Sequence, residues 1–584
     1  MQRLILALLT CLALACALPA QAAGDIAPGK RFVSIAFHDV VDDPAQLDGD
    51  AVTTDRLVAF FDYLRGAGWT AVSLDDVDAA RRGERPLPDK AILITFDDGY
   101  ESLYTRVFPL ALAYRMPIVA ALMGGWVNAP AGATVMYGDK PVPRDNFVTW
   151  DQVREMHRSG LIEIASHSYG LHQGVLANPQ GNTMPAAVTR IYAGGRYEDD
   201  ASYRQRLIDD LTRSRDQIAR ETGQAPRTIV WPFGRYTLEG ADVARSLGYR
   251  FALTLDPEPA DAALPMALAR FLPTIDPPLS VIERNLRFVQ ERAPAQRLLC
   301  VDPAKLWSGD LAGTDERLGK LIERVRKLGT NTVVIDAAQS DADGRLTGAW
   351  FPNSQLPMTA NLLSRLAWQL QTRGGVEAYI RLPVAAALQT LGDPAKVRLM
   401  FRELGVQVPA TGLMMEGAPG LLALAAESGE GGAMPWQTHR LRLAQPLDGL
   451  EPADRLVLQA FREAANARPR LKLALLAEPG APMTPSALAD LTLFQVATDP
   501  ASTRRVVERF ATERPPGNNV ARRMGPWLAG PTPPAAPELR SAMRGLQVAG
   551  GTVLGWCADD VLADSPPAMQ VAPDVSSSTF PLRF

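Results

Sequence analysis

Short β-rich runs alternate with longer amphipathic stretches along almost the whole chain, from Arg31 to a last apolar run ending at Cys557. Parallel strands need a crossover of a dozen or more residues, usually a helix, so this rhythm predicts an α/β architecture of parallel sheets or barrels. In the first half the strand candidates are Arg31 to His38, Thr70 to Leu74, Ala91 to Asp97, Ile118 to Gly124, Ile162 to Ser168, Thr228 to Gly234 and Phe251 to Asp256. Seven such units predict a (β/α)7 barrel, one short of the usual eight.

Between Pro273 and Pro294 the chain turns proline-rich, passes one helix-like stretch from Ser280 to Arg292, and restarts with a strand at Arg297 to Val301. The alternation then resumes at Asn331 to Asp336, Val376 to Leu382, Gly412 to Glu416, Leu471 to Glu478, Leu491 to Ala497 and Gly551 to Cys557, predicting a second, (β/α)8-like barrel. At 584 residues the chain suits two large domains, 23–293 and 294–584. The Pro/Ala-rich stretches around Pro515 and Pro531 to Pro537 read as surface loops, and the tail after Asp564 as irregular.

The first residues read as an export signal: Arg3, an apolar run from Leu4 to Leu18, and a small-residue cleavage site at Ala20-Gln21-Ala22. A lipoprotein signal ending at Cys16 is the alternative, although Ala13 stands where a large aliphatic is preferred. Cleavage after Ala22 leaves Cys300 and Cys557 alone in an oxidising compartment, each in a strand-like apolar run, so a disulfide is compatible but not required. A net charge of -4 with evenly spread Lys and Arg provides no basic stripe, which argues against nucleic acid as a partner.

Three of the five histidines, His38, His167 and His172, fall at or just past the C-terminal ends of predicted strands. Asp97, Asp98 and the Trp231-Pro232-Phe233-Gly234 run fall there too. In a β/α barrel those ends share one rim, so residues far apart in sequence converge on one pocket. Two adjacent carboxylates closing an apolar strand need a cation or hydrogen bonds, and two imidazoles supply further ligands for a divalent ion. One Asp and two His leave coordination positions open, the mark of a catalytic ion that activates water and polarises a carbonyl. The other carboxylate can take the water's proton, and His38 can protonate a departing amine, which makes amide or ester hydrolysis the expected chemistry. Taken alone, Asp97-Asp98-Gly99 reads equally as a turn, and either imidazole as an ordinary core or surface histidine. His157, in a polar helical stretch, and His439, in an expected loop, receive no role.

Thr95-Phe96-Asp97-Asp98-Gly99-Tyr100 resembles the first motif of the NodB-type polysaccharide deacetylases of carbohydrate esterase family 4. Ser166-His167 with His172 resembles their second motif, and Trp231 to Gly234 their third. Ala36-Phe37-His38-Asp39-Val40, placed before the Asp pair, is similar to the poly-β-1,6-N-acetyl-D-glucosamine N-deacetylases of biofilm export systems. That resemblance implies Asp97 as general base, Asp98, His167 and His172 as metal ligands, His38 as general acid, and Tyr100, Trp231, Pro232 and Phe233 along the substrate path. It implies one divalent ion (Zn, Co, Ni or Fe(II)), a periplasmic N-acetylglucosamine polymer as substrate, and an outer-membrane export porin as partner. Two other readings fit the same residues: a polysaccharide-binding export module with weak or no activity, and a deacetylase of chitin or peptidoglycan.

The resemblance continues at Trp350-Phe351-Pro352-Asn353 and Leu356-Pro357-Met358, the start of the family's C-terminal glycan-binding or glycan-cleaving barrel. Where relatives carry a His-Asp-Asp cluster, this chain reads Leu413-Met414-Met415-Glu416-Gly417, leaving Asp336, Glu416 and Glu478 as strand-end acids. A degenerate hydrolase that still binds sugar is the expectation, with Trp350, Trp436, Trp527 and Trp556 as candidate faces for pyranose rings.

Overall fold

The structure, a computed structural model, describes residues 30–138, 140–287, 295–424, 435–513, 522–530, 535–557, 562–563 and 566–578. The leader with Cys16 and Ala22, the expected boundary near Pro294, Pro515 and Pro531 lie outside them. Among the described residues no helix is long and apolar enough to cross a membrane.

All seven strands expected in the first half form: β1 (Arg31–Phe37), β2 (Thr70–Ala71), β3 (Ala91–Phe96), β4 (Ile118–Leu122), β5 (Ile162–Ser166), β6 (Thr228–Val230) and β7 (Phe251–Leu253). They are parallel, in the order β7-β6-β5-β4-β3-β1, with β2 alongside β3. β3 and β4 are buried at every position, which explains why they read as unbroken apolar runs. Each strand ends one to four residues before its sequence estimate, so the chemistry-bearing residues sit in the loops just past the ladder.

The two edges of this sheet are joined by a segment that the alternation does not announce. Leu268 donates its amide to Ala252 O (2.8 Å) and Thr254 donates to Leu268 O (2.8 Å), while Phe271 donates to Ser34 O (2.8 Å) and Ala36 to Phe271 O (2.8 Å). Residues 268–271 thus bridge β7 to β1.

The second half is a closed parallel barrel of β8 (Gln296–Val301), β9 (Thr332–Asp336), β10 (Glu377–Arg381), β11 (Gly412–Glu416), β12 (Lys472–Ala477), β13 (Leu491–Val496), β14 (Met524–Leu528) and β15 (Val553–Trp556). Sequence reading finds seven of these and misses β14, whose Gly525-Pro526 pair lies between proline-rich stretches and argues against a strand. Leu298, Val334, Tyr379, Met414 and Trp527 help fill its interior. A disulfide joins Cys300 to Cys557, across the seam where β15 returns to β8 (Cα–Cα 4.5 Å).

Burial corrects the expected sugar-stacking faces: Trp350, Trp527 and Trp556 are at most 1% exposed, because they point into packed layers rather than out from the rim. Trp436 lies outside the described side chains. His439 lies in the helix Pro435–Ala444, not in a loop.

The missed strand is also where packing is tightest. A Cβ on Gly525 would stand 2.1 Å from the Val553 carbonyl oxygen and 2.7 Å from its carbon, backbone atoms that cannot swing aside. Gly525→Ala is therefore expected to destabilise the chain by about 1–3 kcal/mol, read as a lowered Tm in thermal unfolding. An unchanged Tm would contradict this packing.

Candidate active site

Strand β3 ends at Phe96, and the next two residues diverge. Asp97 keeps the line of the ladder, donating its amide to Phe37 O (2.8 Å), while Asp98 turns into the left-handed region at φ 72°. Gly99, also at positive φ, follows closely: a Cβ there would stand 2.9 Å from Leu122 Cδ2. The turn sends the two carboxylates to different partners.

Arg270, on the bridging segment and fully buried, donates from Nη1 to Asp97 Oδ1 (2.7 Å) and from Nη2 to Asp97 Oδ2 (2.9 Å). Burial opposes ionisation of Asp97, but Arg270, with His167 and His38 nearby, outweighs it and holds the carboxyl below its usual range. Both oxygens of Asp98, by contrast, are buried without a hydrogen-bond partner. Its nearest polar neighbours are His167 Nε2 at 3.3 Å and His172 Nε2 at 3.6 Å, both from Oδ1. Burial again opposes the charge, yet His172, His167 and His38 keep Asp98 well below the ordinary carboxylate range.

His167 follows β5 directly. Its Nδ1 lies 2.8 Å from Val230 O, an acceptor, so Nδ1 carries the proton and Nε2 faces Asp98 with a free lone pair. The loop to His172 is anchored by the helix α1 (Asp200–Thr222). Asp210 accepts the amides of Tyr169 (2.9 Å) and Gly170 (2.7 Å), and Ser166 Oγ, 2.7 Å from Ser214 Oγ, accepts the amide of Ser168. Burial pushes Asp210 up to about 6, against the pull of those amides. Trp126, Tyr137 and Phe233 surround the His172 ring, with centroids 5.1, 5.4 and 4.3 Å away.

Asp98, His167 and His172, all buried, place their ligand atoms within 4.8 Å of one another and can hold a metal ion. The fit rests on more than proximity. A buried carboxylate with two unpartnered oxygens costs several kcal/mol, on the order of 2–7 for even a neutral polar group, unless a cation compensates it.

His38 follows β1 and stands beside Asp97, since Val33–Phe37 pairs with Ile92–Phe96. Its Nδ1 has no hydrogen-bond partner. Tyr100 stacks on Phe147 (5.2 Å) at the same rim, and its burial raises the phenol far above its usual range. The aromatic run is corrected in part: Trp231 is 1% exposed and Pro232 is buried, because the strand ends at Val230 and the indole packs in the core beside Tyr236. Phe233, at φ 56° and 41% exposed, is the ring of that run that faces solvent. Sequence reading missed Arg270, Asp210, Trp126 and Tyr137. Arg270 had no motif to mark it, while the others are ordinary helix and hairpin residues until the fold gathers them.

On the second barrel Arg381 binds Asp336 through Nε (2.6 Å) and Nη2 (3.0 Å). Burial raises Glu416 above the usual carboxylate range, Arg381 opposing, with Glu478 and Asp336 adding to the rise. A cavity of about 300 Å3 lined by Ser73, His157, Glu163 and Arg227 lies at the opposite, N-terminal strand ends of the first sheet, away from the Asp98 cluster.

The first ring therefore defines a class: a β/α fold with a buried His2Asp group able to hold a metal ion at the strand C-termini, beside an arginine-clamped carboxylate. Residues 84–252 match the polysaccharide deacetylase family model, and the chain carries a polysaccharide deacetylase domain. Residues 301–401 match the model described as hypothetical glycosyl hydrolase family 13. The chain is 38% identical over 381 residues to the poly-β-1,6-N-acetyl-D-glucosamine N-deacetylase of Escherichia coli K12, a match covering 65% of this chain and 56% of that relative. It thus spans little more than half the length of that curated protein. Among solved structures, a de-N-acetylase from Aggregatibacter actinomycetemcomitans is 36% identical (44% of this chain, 99% of that one, TM-score 0.41). The BpsB deacetylase domain of Bordetella bronchiseptica is 41% identical (42% and 97%, TM-score 0.39).

The two imidazoles titrate in opposite directions. Burial pulls His167 down, but its contact with Asp98 and the charge of Asp97 win and raise it above its usual value. Burial dominates at His172 and takes it to about 4. A protonated imidazole cannot ligate, so on acidification His167 blocks the site first and His172 only far below. Divalent-ion affinity, measured by titration calorimetry, is expected to be flat at high pH and to fall about tenfold per pH unit below the His167 pKa. Affinity unchanged down to pH 5 would contradict that order.

Proposed function

We propose that the chain removes acetyl groups from poly-β-1,6-N-acetyl-D-glucosamine in the periplasm, leaving amines on a polymer bound for an outer-membrane pore. The observation that carries this reading is the contrast between the two adjacent carboxylates, Asp98 with both oxygens open toward two imidazoles and Asp97 with both held by Arg270. Asp98, His167 and His172 hold the ion, which when bound acidifies water and polarises the acetyl carbonyl. Asp97, kept ionised by Arg270, orients the attacking water and accepts its proton as general base. His38, on the neighbouring strand end, protonates the departing amine. Phe233 and Tyr100 line the path of the sugar, and Trp231 and Pro232, both buried, precede Phe233 in the same run. The substrate is supported by the E. coli relative, which carries that activity in its name. Export is supported by the leader pattern of residues 1–22, with Cys16 as the alternative lipid anchor.

Residues 23–293 make up the deacetylase domain in this reading, and 294–584 a glycan-binding barrel degenerate as a hydrolase. Met414 and Met415 stand before Glu416 where the family places acids, and Asp336 is committed to Arg381.

The test is release of free amine from β-1,6-linked N-acetylglucosamine oligomers, with chitin oligomers in parallel. Asp97→Asn and chelation are each expected to lower the rate by about a hundredfold or more, with added divalent ion restoring the chelated enzyme. Full activity in both cases would overturn the mechanism, and preference for chitin would overturn the substrate. No shortening of partly deacetylated polymer is expected, and chain cleavage would overturn the reading of the second barrel.

A further inference from the structure

The deacetylase ring and the second barrel meet through a compact cluster of buried charge. The loop after β7 supplies Asp256, Glu258 and Asp261, each under a tenth exposed. From the other side Arg440 reaches Asp261 (2.8 Å), and Arg470, just before β12, reaches Asp256 (2.9 Å) and Glu258.

One branch of this cluster does not stop at the interface. Arg470 Nη2 binds Asp256 Oδ2, and the same oxygen accepts the Thr254 hydroxyl at 2.6 Å. The Thr254 carbonyl accepts Arg270 Nε at 3.2 Å, and Arg270 grips Asp97 with its two remaining nitrogens. Thr254 and Arg270 are at most 2% exposed, so every link beyond Asp256 is shielded from water. A polar chain of this kind in a low-dielectric interior fixes its members' orientations, because a rotation at any link leaves a buried group unpaired. Arg440, by contrast, binds Asp261, whose backbone pairs with Arg31 at the far end of β1, and comes within 3.8 Å of Glu258, so it lies outside the branch through Asp256, Thr254 and Arg270.

We infer that Arg470, supplied by the second barrel, is a positioning residue for deacetylation: through Asp256, Thr254 and Arg270 it fixes the Asp97 carboxylate, so the barrel completes the deacetylase site as well as flanking it. This rests on the reading of Asp97 as general base. It predicts an effect on turnover rather than on sugar binding or on metal binding, since the chain of contacts reaches neither the Phe233 face nor Asp98.

The experiment compares Arg470→Met, Arg470→Lys, Asp256→Asn, Thr254→Val and Arg440→Met in the full chain. Each is assayed for kcat and KM on β-1,6-linked N-acetylglucosamine oligomers, for divalent-ion affinity and for Tm. Arg470→Met is expected to lower kcat about tenfold or more at nearly unchanged KM and ion affinity, as a misoriented catalytic group does. Arg470→Lys should recover part of the loss, and Asp256→Asn combined with Arg470→Met should lose no more than either alone. Arg440→Met, which weakens the same interface, should lower Tm comparably while leaving kcat within about twofold. Thr254→Val cuts the chain inside the first ring and should by itself lower kcat about tenfold at nearly unchanged KM, which tests the inference even if loss of the interface arginine prevents folding. Wild-type kcat in Arg470→Met or Thr254→Val, or parallel kcat losses in Arg470→Met and Arg440→Met, would overturn the inference. Full activity of Asp97→Asn would instead remove the reading beneath it.

Discussion

The bidentate pair between Arg270 and Asp97 is where the architecture and the chemistry of the first ring meet. Both partners are almost fully buried, so each charge is tolerable only because the other is there, and removing one partner of such a pair typically costs about 3–5 kcal/mol. Arg270 lies on the segment that bridges β7 to β1, and Asp97 directly follows the central strand β3. The contact therefore ties the seam of the ring to its middle. It also engages one lone pair on each oxygen of Asp97, which keeps that carboxylate in place as a base and leaves Asp98 as the carboxylate open to an ion.

Asp98 escapes the same arginine because of its backbone. Asp98 and Ser168 both sit at φ 72° and Phe233 at φ 56°, a region that costs a residue other than glycine on the order of 1–3 kcal/mol when the surroundings impose it. At each, the turn redirects a loop at the rim: Asp98 away from Arg270, the His167 loop toward α1, and Phe233 out over His172. Asp210 and Ser214 on α1 hold the second of these turns by accepting or sharing its polar groups. Strain and support are thus concentrated at the face where Asp97, Asp98, His38, His167 and His172 converge.

This explains which parts were legible in the sequence. The strands were, because burial on both faces writes an apolar run that ends in a turn, and Asp97, Asp98, His167 and His172 stand at those ends. Arg270 was not, because it approaches Asp97 across 173 positions on a segment without strand alternation. β14 was not, because Pro526 speaks against a strand locally, while the slanted ladder of a parallel barrel accommodates it between β13 and β15. The tryptophans misled for a related reason: composition places an indole near a strand end, but the pleat decides its face. Trp527 faces the barrel interior, and Trp231 turns under the loop that presents Phe233.

The second barrel uses the same device with a different outcome. Arg381 clamps Asp336 as Arg270 clamps Asp97, again between strand ends of a β/α ring. In the first ring the neighbouring carboxylate meets two imidazoles, and the three form a ligand set. In the second, Glu416 meets Glu478 and Asp336 instead, and among the described residues no further group of metal-ligating side chains gathers there. Burial raises the Glu416 carboxyl above its usual range, Arg381 opposing and the like charges of Glu478 and Asp336 adding to the rise. One type of ion pair at one type of rim thus stands beside a candidate ligand set in the first ring and beside further carboxylates in the second, according to whether histidine or glutamate occupies the next strand end.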